Sequence, residues 1–189
     1  MIFYVHGFNS CAARNRDKVR ELARLLGEEV VLLEYPSDRR AEEIFGTLQA
    51  QVAEHSATAP HFFIGSSMGG FWAERLGQTH RRPAALFNPC FQPTQFLAPF
   101  IGEIEHFCTH KRWDFTLELL DSYAPFEAVK IDAPRVVFTA TNDDLISSEK
   151  VQAHYAGVCE VIEIEGGHSV LTFAPFVERL REFRTIKPS

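Results

Sequence analysis

No run in this chain approaches the roughly 18 consecutive apolar residues of a membrane-spanning helix, so no span is expected. The amino terminus lacks a basic region followed by an apolar one. Met1 leads straight into Ile2-Phe3-Tyr4-Val5, which reads as a strand of the fold, and a secretory leader is not expected. No C-x-x-C pair occurs among the four cysteines, Cys11, Cys90, Cys108 and Cys159. Their wide scatter reads as free thiols in a reducing compartment, so a cytoplasmic location is expected. Blocks of about five like charges are missing too. The basic residues Arg14, Arg16, Lys18 and Arg20 alternate with neutral and acidic ones, as on a solvated helix face. With a net charge of −6, nothing favours a nucleic-acid partner. Repeats, low-complexity segments and linkers are likewise lacking.

What remains is the composition of a soluble globular protein, long enough at 189 residues to bury a sizeable core in one domain. Strand-like and helix-like runs alternate along it. Residues 2–5 form a first strand. Val19, Leu22, Ala23 and Leu26 then fall on one helical face. Residues 30–34 read as a second strand closed by Tyr35-Pro36, and Ile44, Leu48 and Val52 mark a second helix. Pro60 precedes a strand at 61–64, Pro83 one at 84–87 and Pro134 one at 135–139. Ser147 or Ser148 can cap a helix ending near Tyr155, and 158–164 is a last strand. Phe173, Phe176, Val177 and Leu180 stripe a terminal helix, with Pro175 tolerated in its first turn. Six apolar strands alternating with helices imply a parallel sheet covered on both faces. Its site should lie beyond the carboxyl ends of the strands.

Residues 91 to about 130 break this rhythm, being far longer than a usual crossover. They carry Phe91, Phe96, Phe100, Phe107, Trp113, Phe115, Tyr123 and Phe126. We expect a small helical cap insertion here, most of whose aromatics pack it onto the body.

Gly65-Ser66-Ser67-Met68-Gly69 fits G-x-S-x-G between an apolar strand and a helix start. That context is the nucleophile elbow of an α/β-hydrolase. The glycines clear space around a strained turn, and the helix aims free N–H groups at the reaction centre. Ser67 is the candidate nucleophile. Centring the pattern on Ser66 would require glycine where Ile64 and Met68 stand.

A serine hydroxyl needs a base, best a histidine, and an acid to orient that base. Most of the eight histidines are poorly placed. His55 and His80 fall at polar helix ends and are expected to be exposed. His61 opens the elbow strand, His154 lies in a helix, and His106 and His110 belong to the insertion. His168, in Glu165-Gly166-Gly167-His168, follows the last strand directly and is the candidate base. Asp143 or Asp144 follows the strand at 135–139. Asp143 is preferred, because a three-residue step to Ile146 lets the loop fold back on an apolar anchor. The order Ser67, Asp143, His168 is that of the α/β-hydrolases. The backbone N–H groups of Met68 and of Phe8, in His6-Gly7-Phe8-Asn9-Ser10, are the expected oxyanion donors, each typically worth roughly 2.7–4 kcal/mol. His6 is expected to support that loop. His106-x-Cys108-x-His110 has zinc-type donors, but the spacing is unusual and no fourth ligand is evident. No metal and no cofactor are expected.

The segments His6-Gly7-Phe8-Asn9-Ser10, Gly65-Ser66-Ser67-Met68-Gly69-Gly70, Phe87-Asn88-Pro89, Asn142-Asp143-Asp144 and Glu165-Gly166-Gly167-His168 resemble the small bacterial YqiA-like esterases of the α/β-hydrolase superfamily. The resemblance covers nearly the whole chain. It implies a compact three-layer α/β-hydrolase domain over 1–189, with six mainly parallel strands in the order 2-1-3-4-5-6 and without the first two strands of the full fold. It also implies a Ser67–Asp143–His168 esterase or thioesterase acting on small acyl substrates. An amidase or peptidase on the same scaffold, or a non-catalytic ligand binder, is the rival expectation.

Overall fold

A computed structural model describes residues 1–55 and 61–186. Pro60, expected to punctuate the approach to the elbow strand, lies outside the described residues. The elements are β1 (Ile2–Val5), α1 (Ala12–Leu26), β2 (Val30–Leu33), α2 (Ala41–Glu54), β3 (Phe62–Ser66), α3 (Met68–His80) and β4 (Ala84–Phe87). Then come α4 (Pro93–Phe96), β5 (Gly102–Glu105), β6 (Arg112–Phe115), α5 (Leu117–Asp121) and α6 (Ala124–Glu127). The chain closes with β7 (Arg135–Ala140), α7 (Ser148–Tyr155), β8 (Glu160–Ile164) and α8 (Val177–Phe183).

Six strands pair in the order β2-β1-β3-β4-β7-β8, every pair parallel. This is the 2-1-3-4-5-6 order implied by the resemblance. Strands β1, β3 and β4 are buried end to end, because both sheet faces are covered. Side-chain alternation sorts each strand into two cores. Phe3, Val5, Phe63, Leu86 and Val137 pack under α2, α3 and α7 through Ile44, Leu48, Phe71, Trp72 and Val151. Ile2, Tyr4, Phe62, Ile64, Ala85, Phe87 and Phe138 face α1 and α8 through Leu22, Leu26, Leu180 and Phe183.

Helix α3 is buried along almost its whole length. Within it, Glu74 pairs with Arg75 at 2.6 Å and with Arg135 of β7 at 2.9 Å. Arg75 also donates to Phe126 O at 3.1 Å and lies over the Phe71 ring. Such pairs need not add net stability over an apolar replacement, but losing one partner leaves an uncompensated buried charge. Here they fix α3 against β7 and α6.

Three expectations need correction. The insertion is not wholly helical: β5 and β6 form an antiparallel hairpin, separate from the main sheet, beside short helices. Phe115, Leu120 and Tyr123 sink into the core, as expected for packing residues, whereas Phe100 and Phe107 stay exposed. Cys11 and Cys108 are not free thiols but a disulfide joining residues 97 apart in sequence; Cys90 and Cys159 are free. The hairpin turn folds back onto the loop after β1, a contact that no local spacing announces. His55 and His80 are also less exposed than expected, since their rings lie against Phe3 and Phe63.

Candidate active site

The chain leaves β3 at Ser66 and enters α3 at Met68, so Ser67 alone makes the turn, at φ 57° and ψ −126°. That backbone is strained for a residue with a side chain. Its neighbours hold it there. Ser67 N–H donates to Phe87 O at 2.9 Å, and Ser67 O accepts from Gly70 N at 2.9 Å and Cys90 N at 3.1 Å. A Cβ at Gly65 would sit 2.0 Å from Gly69 O, and one at Gly69 would sit 2.0 Å from Val5 O. Gly69→Ala is therefore expected to cost more than the roughly 1–3 kcal/mol of an ordinary overpacked core. A urea melt reads this, and an unchanged midpoint would contradict the geometry.

Ser67 is half-buried in an otherwise buried stretch. The loop after β1 passes directly against it, and a Cβ on Gly7 would lie 3.8 Å from Ser67 Oγ. The next N–H in that loop, on Phe8, and the first N–H of α3, on Met68, have no acceptor among the described residues. The loop is braced from three sides. The buried His6 ring stacks on Tyr35 with centroids 4.6 Å apart, and its Nδ1–H donates to Gly7 O at 2.8 Å. Burial lowers the His6 pKa, so this ring is a neutral support. Tyr35 Oη donates to His6 O at 3.1 Å. Asn9, at φ 57°, donates from its backbone to Ser37 Oγ and from Nδ2 to Glu105 O, both at 2.8 Å. Its Oδ1 accepts from Trp113 Nε1 at 3.2 Å.

Asp143 and His168 meet beyond the ends of β7 and β8. His168 Nδ1 lies 2.8 Å from Asp143 Oδ2 and 3.0 Å from Oδ1. Asp143 Oδ1 also accepts from Leu145 N at 2.9 Å and Ile146 N at 2.8 Å, while the Ile146 side chain is buried. The fold-back onto Ile146 thus closes on Asp143. The Asp144 side chain is exposed and bonds to nothing among the described residues. Burial of Asp143 pushes its carboxyl pKa up, but the bonds from His168, Ile146 and Leu145 outweigh that and hold it below its usual range. An ionised carboxylate accepts only, so Nδ1 carries the imidazole proton and Nε2 is left as the basic nitrogen.

Asn88, which the sequence offers only within Phe87-Asn88-Pro89, bridges the same region from the end of β4. Its Nδ2 donates to Gly167 O and His168 O, and its Oδ1 accepts from Ala140 N. An Asn between an apolar strand and a proline signals a turn, but not these partners. The histidines of the His106-x-Cys108-x-His110 set go elsewhere. Cys108 is in the disulfide, His106 Nδ1 accepts from the Cys108 and Thr109 amides, and His110 pairs with Glu105. Among the described residues, no group of three or more His, Cys, Asp or Glu is placed to hold a metal ion. A cavity of about 780 Å³ opens at the other end of the sheet, lined by Ile2, His61, His80, Arg82 and Arg184 among others. It opens at the amino ends of the strands, whereas Ser67 follows the carboxyl end of β3.

The parallel sheet and its serine elbow define a protein of the α/β-hydrolase fold. Solved structures similar over 96% of the chain agree. A putative hydrolase from Agrobacterium vitis has a TM-score of 0.74 at 18% identity, with 85% of that chain covered. Est1E from Butyrivibrio proteoclasticus has a TM-score of 0.72 at 15%, with 85% covered. A monoacylglycerol lipase from Paleococcus ferrophilus has a TM-score of 0.71 at 15%, with 94% covered. The chain belongs to the family described as "Uncharacterised protein family (UPF0227)", whose model matches residues 1–185. Its relatives include the UPF0227 protein YcfP of Escherichia coli, 23% identical over 98% of this chain and 99% of that one. Another is the UPF0227 protein PC1_2487 of Pectobacterium carotovorum, 26% identical with the same coverage.

Proposed function

We propose that this protein is a metal-independent serine hydrolase of carboxylic esters or acyl thioesters, with Ser67 as nucleophile, His168 as base and Asp143 as orienting acid. The observation that carries this reading is the conjunction at one sheet edge. A positive-φ serine sits on an elbow where a Cβ at either flanking glycine would meet backbone at 2.0 Å, and an imidazole–carboxylate pair stands at neighbouring strand ends. The chain's likeness to a monoacylglycerol lipase and to an esterase domain from Rhodothermus marinus supports it.

In this mechanism Ser67 Oγ attacks the acyl carbon while His168 Nε2 takes its proton. The carbonyl oxygen becomes an oxyanion held by the Phe8 and Met68 N–H groups. His168 returns the proton to the leaving alcohol or thiol, and an acyl-Ser67 remains. Water, deprotonated by His168, attacks that ester and releases the acid, and the serine regains its proton. The substrate is a small acyl ester or thioester rather than a nucleic acid.

Fluorophosphonate labelling tests the reading. The folded protein is expected to take up one label, and Ser67→Ala none. No labelling of wild type, or undiminished labelling of the variant, would sink it. Matched ester, thioester and amide substrates then rank the leaving groups. A cytoplasmic location is also proposed, and the redox state of the Cys11–Cys108 pair is its test. Rapid alkylation in freshly lysed cells reads it: modified Cys11 and Cys108 indicate a reducing compartment, and protected ones an oxidising compartment. Among the described residues, no helix is long and apolar enough to cross a membrane.

A further inference from the structure

We propose that Asn88 is a positioning residue for this site, a single side-chain amide just after β4 that holds the acid loop and the base loop in register. The proposal rests on the esterase reading of Ser67, Asp143 and His168. Asn88 is wholly buried, at φ 45°, directly after β4. All its bonds point away from its own strand. Its backbone N–H donates to Phe138 O at 2.8 Å. Its Oδ1 accepts from Ala140 N at 2.7 Å, at the end of β7, three residues before Asp143. Its Nδ2 donates to His168 O at 2.8 Å and Gly167 O at 3.2 Å. One rigid planar group thus fixes the strand end that launches the acid and the backbone of the base itself.

The two loops meet again independently of it. Asn142 N–H donates to Gly166 O at 3.0 Å, and Thr141 N–H to Ile164 O at 2.9 Å. Those bonds join the loops to each other. Asn88 joins both to β4, whose last carbonyl, Phe87 O, receives the Ser67 N–H. Nucleophile, acid and base are therefore referred to one short segment, residues 87–88.

The chemistry allows few replacements. The position needs an acceptor and a two-proton donor on the shortest possible stem, in a backbone region that asparagine tolerates better than most residues. Aspartate keeps the shape but loses both donors, and turns its charge on two carbonyl oxygens. Serine keeps one donor and cannot span both loops.

The test compares wild type, Asn88→Asp, Asn88→Ser and Ser67→Ala. Three readouts are used: thermal melting, the fluorophosphonate labelling rate across pH, and the low-field proton NMR signal of the imidazole N–H shared with Asp143. Asn88→Asp is expected to fold with a lower melting temperature, lose or broaden the low-field signal, and label about 10²-fold more slowly. The KM for an ester should change little. Asn88→Ser should fall between it and wild type, and Ser67→Ala should keep the signal. The assignment is overturned if Asn88→Asp melts lower yet keeps both the signal and the wild-type rate profile. It is also overturned if neither Asn88 variant folds, because the residue would then serve the sheet as a whole. Failure of the esterase reading looks different: wild type goes unlabelled, while its low-field signal is present and still depends on Asn88.

Discussion

Ser67→Ala is expected to lower ester turnover by about 10⁶-fold, and adding His168→Ala to it should cost nothing further. The first figure corresponds to about 8 kcal/mol of transition-state stabilisation. The second follows from the roles: a base that activates one hydroxyl has no work once that hydroxyl is gone. Asp143→Asn should cost about 10⁴-fold, because an amide can donate to Nδ1 and so favours the wrong imidazole tautomer. Asp144→Asn should leave activity unchanged, since its exposed side chain bonds to nothing among the described residues. Steady-state kinetics on one chromogenic ester, with circular dichroism to confirm folding, reads all four variants. Additive losses in the Ser67/His168 double variant would mean the two residues do not act as one unit. A large loss in Asp144→Asn with little in Asp143→Asn would move the acid by one residue.

The sheet was legible because its strands are buried on both faces. Ile2-Phe3-Tyr4-Val5 and Ala84-Ala85-Leu86-Phe87 have no solvent side to make polar, so they stand out as apolar runs. The elbow was legible for a related reason: its glycines answer backbone contacts within a few residues or with an adjacent strand. The hairpin was not. Gly102-Glu103-Ile104-Glu105 and Arg112-Trp113-Asp114-Phe115 are mostly exposed strands too short and too polar to give a clear period, and the intervening turn is longer than the two-residue hairpin signature. The braces of the site were hidden by distance. Asn88 reaches His168 across 80 residues and Asn9 reaches Trp113 across 104. In sequence each is only an asparagine after an apolar strand. Only folded proximity separates such a residue from an ordinary turn former.

Reduction of the Cys11–Cys108 disulfide is expected to lower both stability and activity. The link closes a span of 97 residues. In the chain-entropy picture a loop of this size stabilises the folded state by up to about 4.7 kcal/mol, with about 2–4 kcal/mol typical of measured cases. At about 2–4 °C per kcal/mol for a chain of this size, the melting temperature should fall by about 10 °C. The consequence for activity is more specific. Strands β5 and β6 carry little buried surface, and the hairpin is tied to the body chiefly through the loop after β1. The ties are Asn9 to Glu105 O and Trp113, Phe107 N–H to Asn9 O, the Phe8 ring among Phe100, Trp113 and Phe115, and the disulfide itself. That loop presents the Phe8 N–H. Releasing the hairpin removes one wall of its brace, so kcat should fall while fluorophosphonate still reacts slowly at Ser67. Hydrogen exchange should rise in residues 6–11 and 101–116 and stay constant in β3 and β4. The decisive comparison is wild type against Cys11→Ser, each melted with and without reductant. Wild type should drop to the variant's midpoint on reduction, and the variant should not respond. A wild type indifferent to reductant, or one with four alkylatable thiols before its addition, would remove the disulfide from the account. The hairpin would then be held by Asn9, the Phe8 cluster and the Arg14–Phe107 contact.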